Sequence, residues 1–218
     1  MSLWVKICGN TTLEDAQLAV DAGADAVGFV LAPSQRRVTV EQVRAITPHL
    51  PAHVEKIGVF VDADFEQIAA SAEAAGLTGV QLQFHPPPQL TSRLRARFGP
   101  GIRIVGVLHF GAGEGVHSDI FADSHLDAVL VDSCTPAAPG GTGIAYDWTV
   151  AADSLFHNAG VRKCIAAGGL KPENIAEAIR ILNPWGVDVA SGVESSPGRK
   201  DPARVRAFLA NARAIRSR

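Results

Sequence analysis

Short apolar runs recur along the chain, and most are followed by a segment whose apolar residues return every three or four positions. The runs are Leu3–Ile7, Ala26–Leu31, Lys56–Val61, Gly79–Leu82, Ile102–Leu108, Ala128–Val131, Lys163–Ala167 and Val187–Ala190. Each is too short for a stable helix and suits a strand buried on both faces. The intervening segments carry helix signals. Thr11 with Glu14, and Thr39 with Gln42, fit the capping-box spacing. Pro86-Pro87-Pro88 predicts a stiff loop leading into a helix, and Pro172-Glu173 a first helical turn, after which Ile175, Ala178, Ile179 and Leu182 fall on one face. Asp201-Pro202 opens a last helix carrying Val205, Phe208 and Leu209.

Eight strands alternating with helices predict parallel βα units, and the count fits closure into a (β/α)₈ TIM barrel of the α/β class. At 218 residues the chain is short for that fold, but within its range of about 200 to over 400. No low-complexity linker divides it, so one domain over residues 1–218 is expected. An open doubly wound sheet is the alternative. It normally shows Gly-x-Gly-x-x-Gly after the first strand, where this chain has Cys8-Gly9-Asn10.

Composition narrows the function classes. Hydrophobic residues make up 47% and charged residues 19%, as in ordinary soluble domains. The net charge is −2 with Lys and Arg scattered, which leaves no nucleic-acid footprint. No stretch approaches the roughly 20 apolar residues of a membrane span, and the start has no secretory pattern. Three cysteines make no disulfide framework. The cytoplasm is the expected compartment. The seven histidines lack metal-ligand spacing, so no metal site is expected. No apolar stripe stands out beyond what eight barrel helices must bury. A monomer is the default expectation, with a dimer left open.

In such a barrel the chemistry gathers at the C-terminal ends of the strands. Cys8 follows strand 1, Arg36 lies in the loop after strand 2, and Asp132 follows strand 6. Lys6 and Cys8 share a strand face. A nearby ammonium would lower a thiol pKa that starts near about 8.5, making Cys8 a usable base or nucleophile. The alternative is an inert buried thiol, the reading also given to Cys164, while Cys134 stays undecided. Asp132 is either catalytic or a loop anchor. Together Cys8 and Asp132 offer a base and an acid for a proton-shuttling isomerisation.

Ala167-Gly168-Gly169-Leu170 and Ala190-Ser191-Gly192-Val193-Glu194 follow strands 7 and 8, where barrels of this kind hold phosphate. Glycine lets backbone amides approach an anion closely, though tight turns need glycine too. Pro139-Gly140-Gly141-Thr142-Gly143 is either a loop that closes over a substrate through Gly141 and Gly143 or a plain surface loop. Arg36-Arg37 offers a fork for a carboxylate or is simply solvated. Asp188 lies inside the apolar run Val187-Asp188-Val189. It needs a partner there, whether a substrate donor or a structural cation.

Several segments are similar to a known family. Val5-Lys6-Ile7-Cys8-Gly9, Gly23-Ala24-Asp25-Ala26-Val27-Gly28-Phe29, Arg36-Arg37-Val38 and Gly58-Val59-Phe60-Val61 resemble the first half of phosphoribosylanthranilate isomerases. Val131-Asp132-Ser133, Gly140-Gly141-Thr142-Gly143, Ala167-Gly168-Gly169-Leu170 and Gly186-Val187-Asp188-Val189-Ala190-Ser191-Gly192-Val193-Glu194 resemble the second. The resemblance spans essentially the whole chain. It implies an Amadori rearrangement in tryptophan biosynthesis, converting an aldosylamine to an aminoketose without cofactor. It further implies Cys8 as general base at C2′ and Asp132 as general acid at the furanose ring oxygen. Arg36 would hold the anthranilate carboxylate, Asp188 would lie near its amine, and Gly168, Gly169, Ser191 and Gly192 would bind the phosphate. The partner is thus a small phosphorylated substrate.

Two segments depart from the family pattern. Gln83 stands where a His is expected after strand 4, and Ile104-Val105-Gly106-Val107-Leu108-His109 lacks the basic residue usual inside strand 5. Both changes are expected near the pocket rim, where they bear on fine substrate positioning and leave Cys8, Asp132 and the phosphate loops in place. Two other readings remain. A related barrel isomerase of histidine biosynthesis would show matching halves with an aspartate after strands 1 and 5. A binder without catalysis would draw its support from the two altered strand ends.

Overall fold

A computed structural model describes residues 3–110, 118–133, 147–157 and 163–215. Eight strands close into a barrel in sequence order: β1 (Trp4–Ile7), β2 (Ala26–Val30), β3 (Glu55–Phe60), β4 (Gly79–Leu82), β5 (Arg103–Phe110), β6 (Ala128–Ser133), β7 (Lys163–Ala166) and β8 (Gly186–Val189). Every neighbouring pair is parallel, and β8 returns to β1 through Lys6 opposite Asp188. All eight predicted runs are strands. Their ends differ by one or two residues, because a strand stops where its neighbour's ladder stops. Thus β5 runs on to Phe110 and β6 to Ser133, since His109 pairs Asp132 and Phe110 pairs Ser133. Asp132 therefore sits inside β6 and not after it.

The helices are α1 (Leu13–Asp21), α2 (Val40–Ile46), α3 (Phe65–Ala74), α4 (Pro88–Phe98), α5 (Trp148–Ala151), α6 (Ile175–Leu182) and α7 (Pro202–Ala214). Between β5 and β6 the described residues form only a short 3₁₀ turn, Ser118–Ala122. The capping box at Thr39 and Gln42 is present, as is one at Asp64 and Gln67. The first helix starts one residue later than predicted. Thr12 caps it by accepting from the Asp15 N–H, while the Thr11 hydroxyl donates to the Gly198 carbonyl. Gly198 belongs to the turn of a two-stranded hairpin, β9 (Glu194–Ser196) with β10 (Arg199–Lys200), laid beside the end of β1.

Alternation along the strands divides the core. Val5, Ile7, Val27 and Phe29 point outward under the helices and are fully buried there. Trp4, Ala26, Ile57, Val105, Leu130 and Ile165 point inward and fill the barrel. At the N-terminal ends of the strands, Trp4 stacks on Trp185 with centroids 5.3 Å apart, and Arg103, paired with Glu55 at 2.6 Å, lies over Trp185. The barrel is thus filled at its base, which leaves its other end for a ligand. Phe208 of α7 is fully buried in the outer core. Phe208→Ala is expected to cost about 3–5 kcal/mol in urea unfolding. A loss below about 1 kcal/mol would mean that α7 contributes little to the shell.

Candidate active site

A cavity of about 270 Å³ opens at the C-terminal ends of the strands. Cys8, Arg36, Asp132, Gly168, Gly169, Asp188 and Ser191 line it together, with Val30, Val59 and Leu130 among its apolar walls. Residues from several strands and from the loops that follow them meet here because the closed barrel turns one end of every strand to the same mouth.

Cys8 directly follows β1 and continues its inward face, after Trp4 and Lys6. Gly28 of β2 makes room for it: a Cβ there would stand 2.6 Å from the Cys8 sulfur and 2.9 Å from Lys6 Cε. Asn10 anchors the following turn through its Nδ2, which donates to the Ile7 and Gly28 carbonyls. Lys6 does not line the cavity. It is 1% exposed, and its ammonium lies in the floor, donating to Asp188 Oδ1 at 3.0 Å and Gln81 Oε1 at 2.9 Å. Burial would lower the Lys6 pKa, but Asp188 and Cys8 outweigh it and keep the ammonium charged. The expected lowering of the Cys8 pKa is reversed. Burial pushes the thiol up, and the opposing pull of Lys6 is smaller. Spacing along the strand reveals the neighbour but not the depth, and here desolvation wins.

Asp132 is pushed up to about 6, chiefly by burial and then by the charge of Asp188. The Gln83 Nε2 donates to its Oδ2 at 3.1 Å, which favours the ionised form and limits the rise. Gln83 Oε1 in turn accepts from Gln81 Nε2 at 2.7 Å. Gln83 is therefore not a rim residue: it bonds Asp132 directly. His109, which follows the core of β5, packs against the Gln83 backbone, and its pKa is lowered by burial.

Arg36 lies on Gly9, where a Cβ would come within 2.7 Å of its Cδ. Its Nε and Nη2 donate to Glu194 at 2.9, 3.1 and 2.7 Å. A guanidinium has five N–H groups in a plane. Glu194 occupies the Nε edge, so the Nη1–Nη2 edge remains for a second carboxylate. Burial would raise the Glu194 carboxyl, but Arg36 and Lys200 hold it below its usual range. Lys200 is fully buried; it donates to Glu194 at 3.0 Å and to the Cys8 carbonyl at 2.5 Å. The sequence shows Glu194 within a motif that assigns it no task, and carries no signal for Lys200.

Gly168 and Gly169 have φ of +77° and +65°. A Cβ on Gly168 would strike the Ser133 amide nitrogen at 2.4 Å, and one on Gly192 the Leu170 carbonyl oxygen at 1.9 Å. The loops after β7 and β8 thus press backbone on backbone, a fit that requires glycine. Among the described residues no backbone carbonyl takes up the N–H of Gly168 or Gly169. Ser191 lines the cavity, and the neighbouring Gly192 packs on Leu170. Gly141 and Gly143 lie outside the described residues, as does Cys134. Cys164 is buried away from the cavity, and burial pushes its thiol to about 11.

The model of the N-(5′-phosphoribosyl)anthranilate isomerase family matches residues 5–211. An N-(5′-phosphoribosyl)anthranilate isomerase of Pelobacter propionicus is 41% identical over 214 residues, covering 98% of this chain and 97% of that protein. Phosphoribosyl anthranilate isomerase from Thermotoga maritima superposes with a TM-score of 0.86 at 35% identity, over 98% of this chain and 100% of the other. A phosphoribosyl anthranilate isomerase in complex with reduced 1-(o-carboxyphenylamino)-1-deoxyribulose 5-phosphate gives a TM-score of 0.83 at 34% identity, with the same coverage.

Proposed function

Because the chain belongs to the N-(5′-phosphoribosyl)anthranilate isomerase family of tryptophan biosynthesis and is an isomerase, we propose that it performs an Amadori rearrangement with Cys8 as general base and Asp132 as general acid. The observation that carries this reading is that a thiol and a carboxyl raised to about 6 line one cavity with Arg36 and the glycine loops after β7 and β8.

Asp132 protonates the furanose ring oxygen. The C1′–O bond breaks as the anthranilate nitrogen lone pair forms a C1′=N bond. The Cys8 thiolate then removes the C2′ proton, and the C–H electrons form C1′=C2′ while the C=N pair returns to nitrogen. Loss of the enol O–H proton and protonation at C1′ give the aminoketose. Two protons are gained and two lost, so the reaction is an isomerisation. The remaining edge of Arg36 receives the anthranilate carboxylate, and the amides of Gly168, Gly169, Ser191 and Gly192 receive the phosphate. Val30, Val59 and Leu130 suit the aromatic ring. Asp188 lines the cavity and fixes Lys6 beneath it, which keeps a cation under the base. Among the described residues Val61 and Val150 are the exposed large hydrophobic side chains, and such isolated positions support a monomer.

The pH dependence tests the pairing. The working form needs a thiolate and a protonated Asp132, yet the thiol titrates above the carboxyl. Below the carboxyl pKa, kcat/KM climbs with the thiolate fraction. Between the two values the growing thiolate and shrinking acid fractions cancel, giving a plateau. Above the thiol pKa activity falls with the acid fraction. The lower inflection, near pH 6, therefore belongs to Asp132 and the upper to Cys8. A profile with no inflection near 6 would remove this acid–base assignment.

A further inference from the structure

A chain of hydrogen bonds crosses the floor of the cavity. It runs from Asp188 to Lys6, on to Gln81 and Gln83, and ends at Asp132, with contacts of 3.0, 2.9, 2.7 and 3.1 Å. Lys6 and Gln81 are 1% and 4% exposed, so bulk water does not compete for them. The direction of the chain is fixed at its origin. An ammonium has donors only, so Gln81 must present its carbonyl to Lys6 and its amide to Gln83. Gln83 must then present its own carbonyl to Gln81, which leaves its amide for Asp132. Reversing Gln81 would set donor against donor in a buried site, where an unmade hydrogen bond is costly, and reversing Gln83 would do the same at the half-buried end of the chain.

We propose that Gln81 and Gln83 are positioning residues, a one-way amide relay from Lys6 that holds Asp132 by Oδ2 and so leaves its transferable proton on Oδ1. The proposal rests on Asp132 as the general acid and adds which oxygen delivers the proton and what selects it. Gln83 brings a donor to Oδ2, so a proton there would face an N–H. The Ser133 amide also donates to the carboxyl, while Oδ1 is the oxygen that Gln83 leaves unheld. The groups around Asp132 are Lys6 of β1, Cys8 just after it, Gln83 after β4, His109 of β5, the Ser133 amide of β6 and Asp188 of β8. Of these, Gln83 alone is tied by side-chain bonds both to Asp132 and to the chain from Lys6. The same ammonium also faces Cys8, so one cation sits beneath the base and sets the orientation of the acid.

A carboxyl-carbon NMR titration of Asp132 tests this, its resonance identified by its loss in Asp132→Asn. Gln83→Leu removes the donor to the ionised carboxylate, so the midpoint should rise by about one pH unit from its starting value. Gln81→Met does not touch Asp132, but it frees Gln83 to turn its carbonyl toward a protonated acid. The midpoint should rise there too, with turnover down about tenfold or more in both variants. The lower inflection of kcat/KM should move upward with the midpoint. A wild-type midpoint in Gln81→Met, or a fall in Gln83→Leu, would overturn the relay. Full turnover in Asp132→Asn would instead overturn the general-acid role, and the titration would still report on the relay separately.

Discussion

Replacing Cys8 with alanine is expected to lower kcat by about a thousandfold while affinity for a product analogue stays within about twofold. The sulfur is the only atom lost that can take a proton from C2′ in the proposed scheme. Its removal leaves Lys6, Asp188 and Gln81 in place, because their mutual bonds do not pass through it. The phosphate loops and Arg36 are held by other contacts: Gly168 against Ser133, Gly192 against Leu170, and Arg36 on Glu194. Ground-state binding should therefore survive. Cys8 is small and 6% exposed, so the fold should survive as well, which thermal unfolding of the variant can check. Affinity is measured by titrating the reduced aminoketose phosphate, which cannot turn over. A variant within about tenfold of wild-type turnover would take the base away from Cys8.

The sequence carries the barrel clearly and the site unevenly, for a physical reason. A barrel strand is buried on both faces, so β1 to β8 appear as compact apolar runs, and the strand ends are where side chains such as Cys8 and Asp132 must emerge. Those two positions need only local reading. The strand limits slip because pairing with a neighbour decides them, as His109 does for Asp132. The interior polar chain is harder. Lys6 meets Gln81 across 75 residues and Asp188 across 182, and Gln83 meets Asp132 across 49. Nothing periodic in the chain encodes such meetings. Glu194 and Lys200 escaped for the same reason: one grips Arg36 from 158 positions away and the other reaches the Cys8 carbonyl from 192. The thiol shows a second kind of gap. Its cationic neighbour is visible at a spacing of two, whereas the depth that reverses its titration appears only once the barrel has closed over it.

The change expected to separate the two proton carriers most sharply is Asp132→Asn. The amide keeps the shape of the carboxyl and can still meet Gln83, but it has no acidic proton to give the ring oxygen. Turnover should fall by about 10²–10⁴-fold, the usual contribution of a placed acid. The shape of the residual pH profile is more diagnostic than its height. In the wild type the plateau exists because the thiolate fraction grows while the acid fraction shrinks. With no carboxyl at position 132 there is nothing to shrink, so the residual rate should climb through pH 6 without inflection and level off only above the Cys8 thiol pKa, itself displaced upward by burial. Stopped-flow or steady-state assays from pH 5 to 10 would resolve this. An inflection that persists near pH 6 in Asp132→Asn would assign that titration to another group and leave the reaction without its proposed acid.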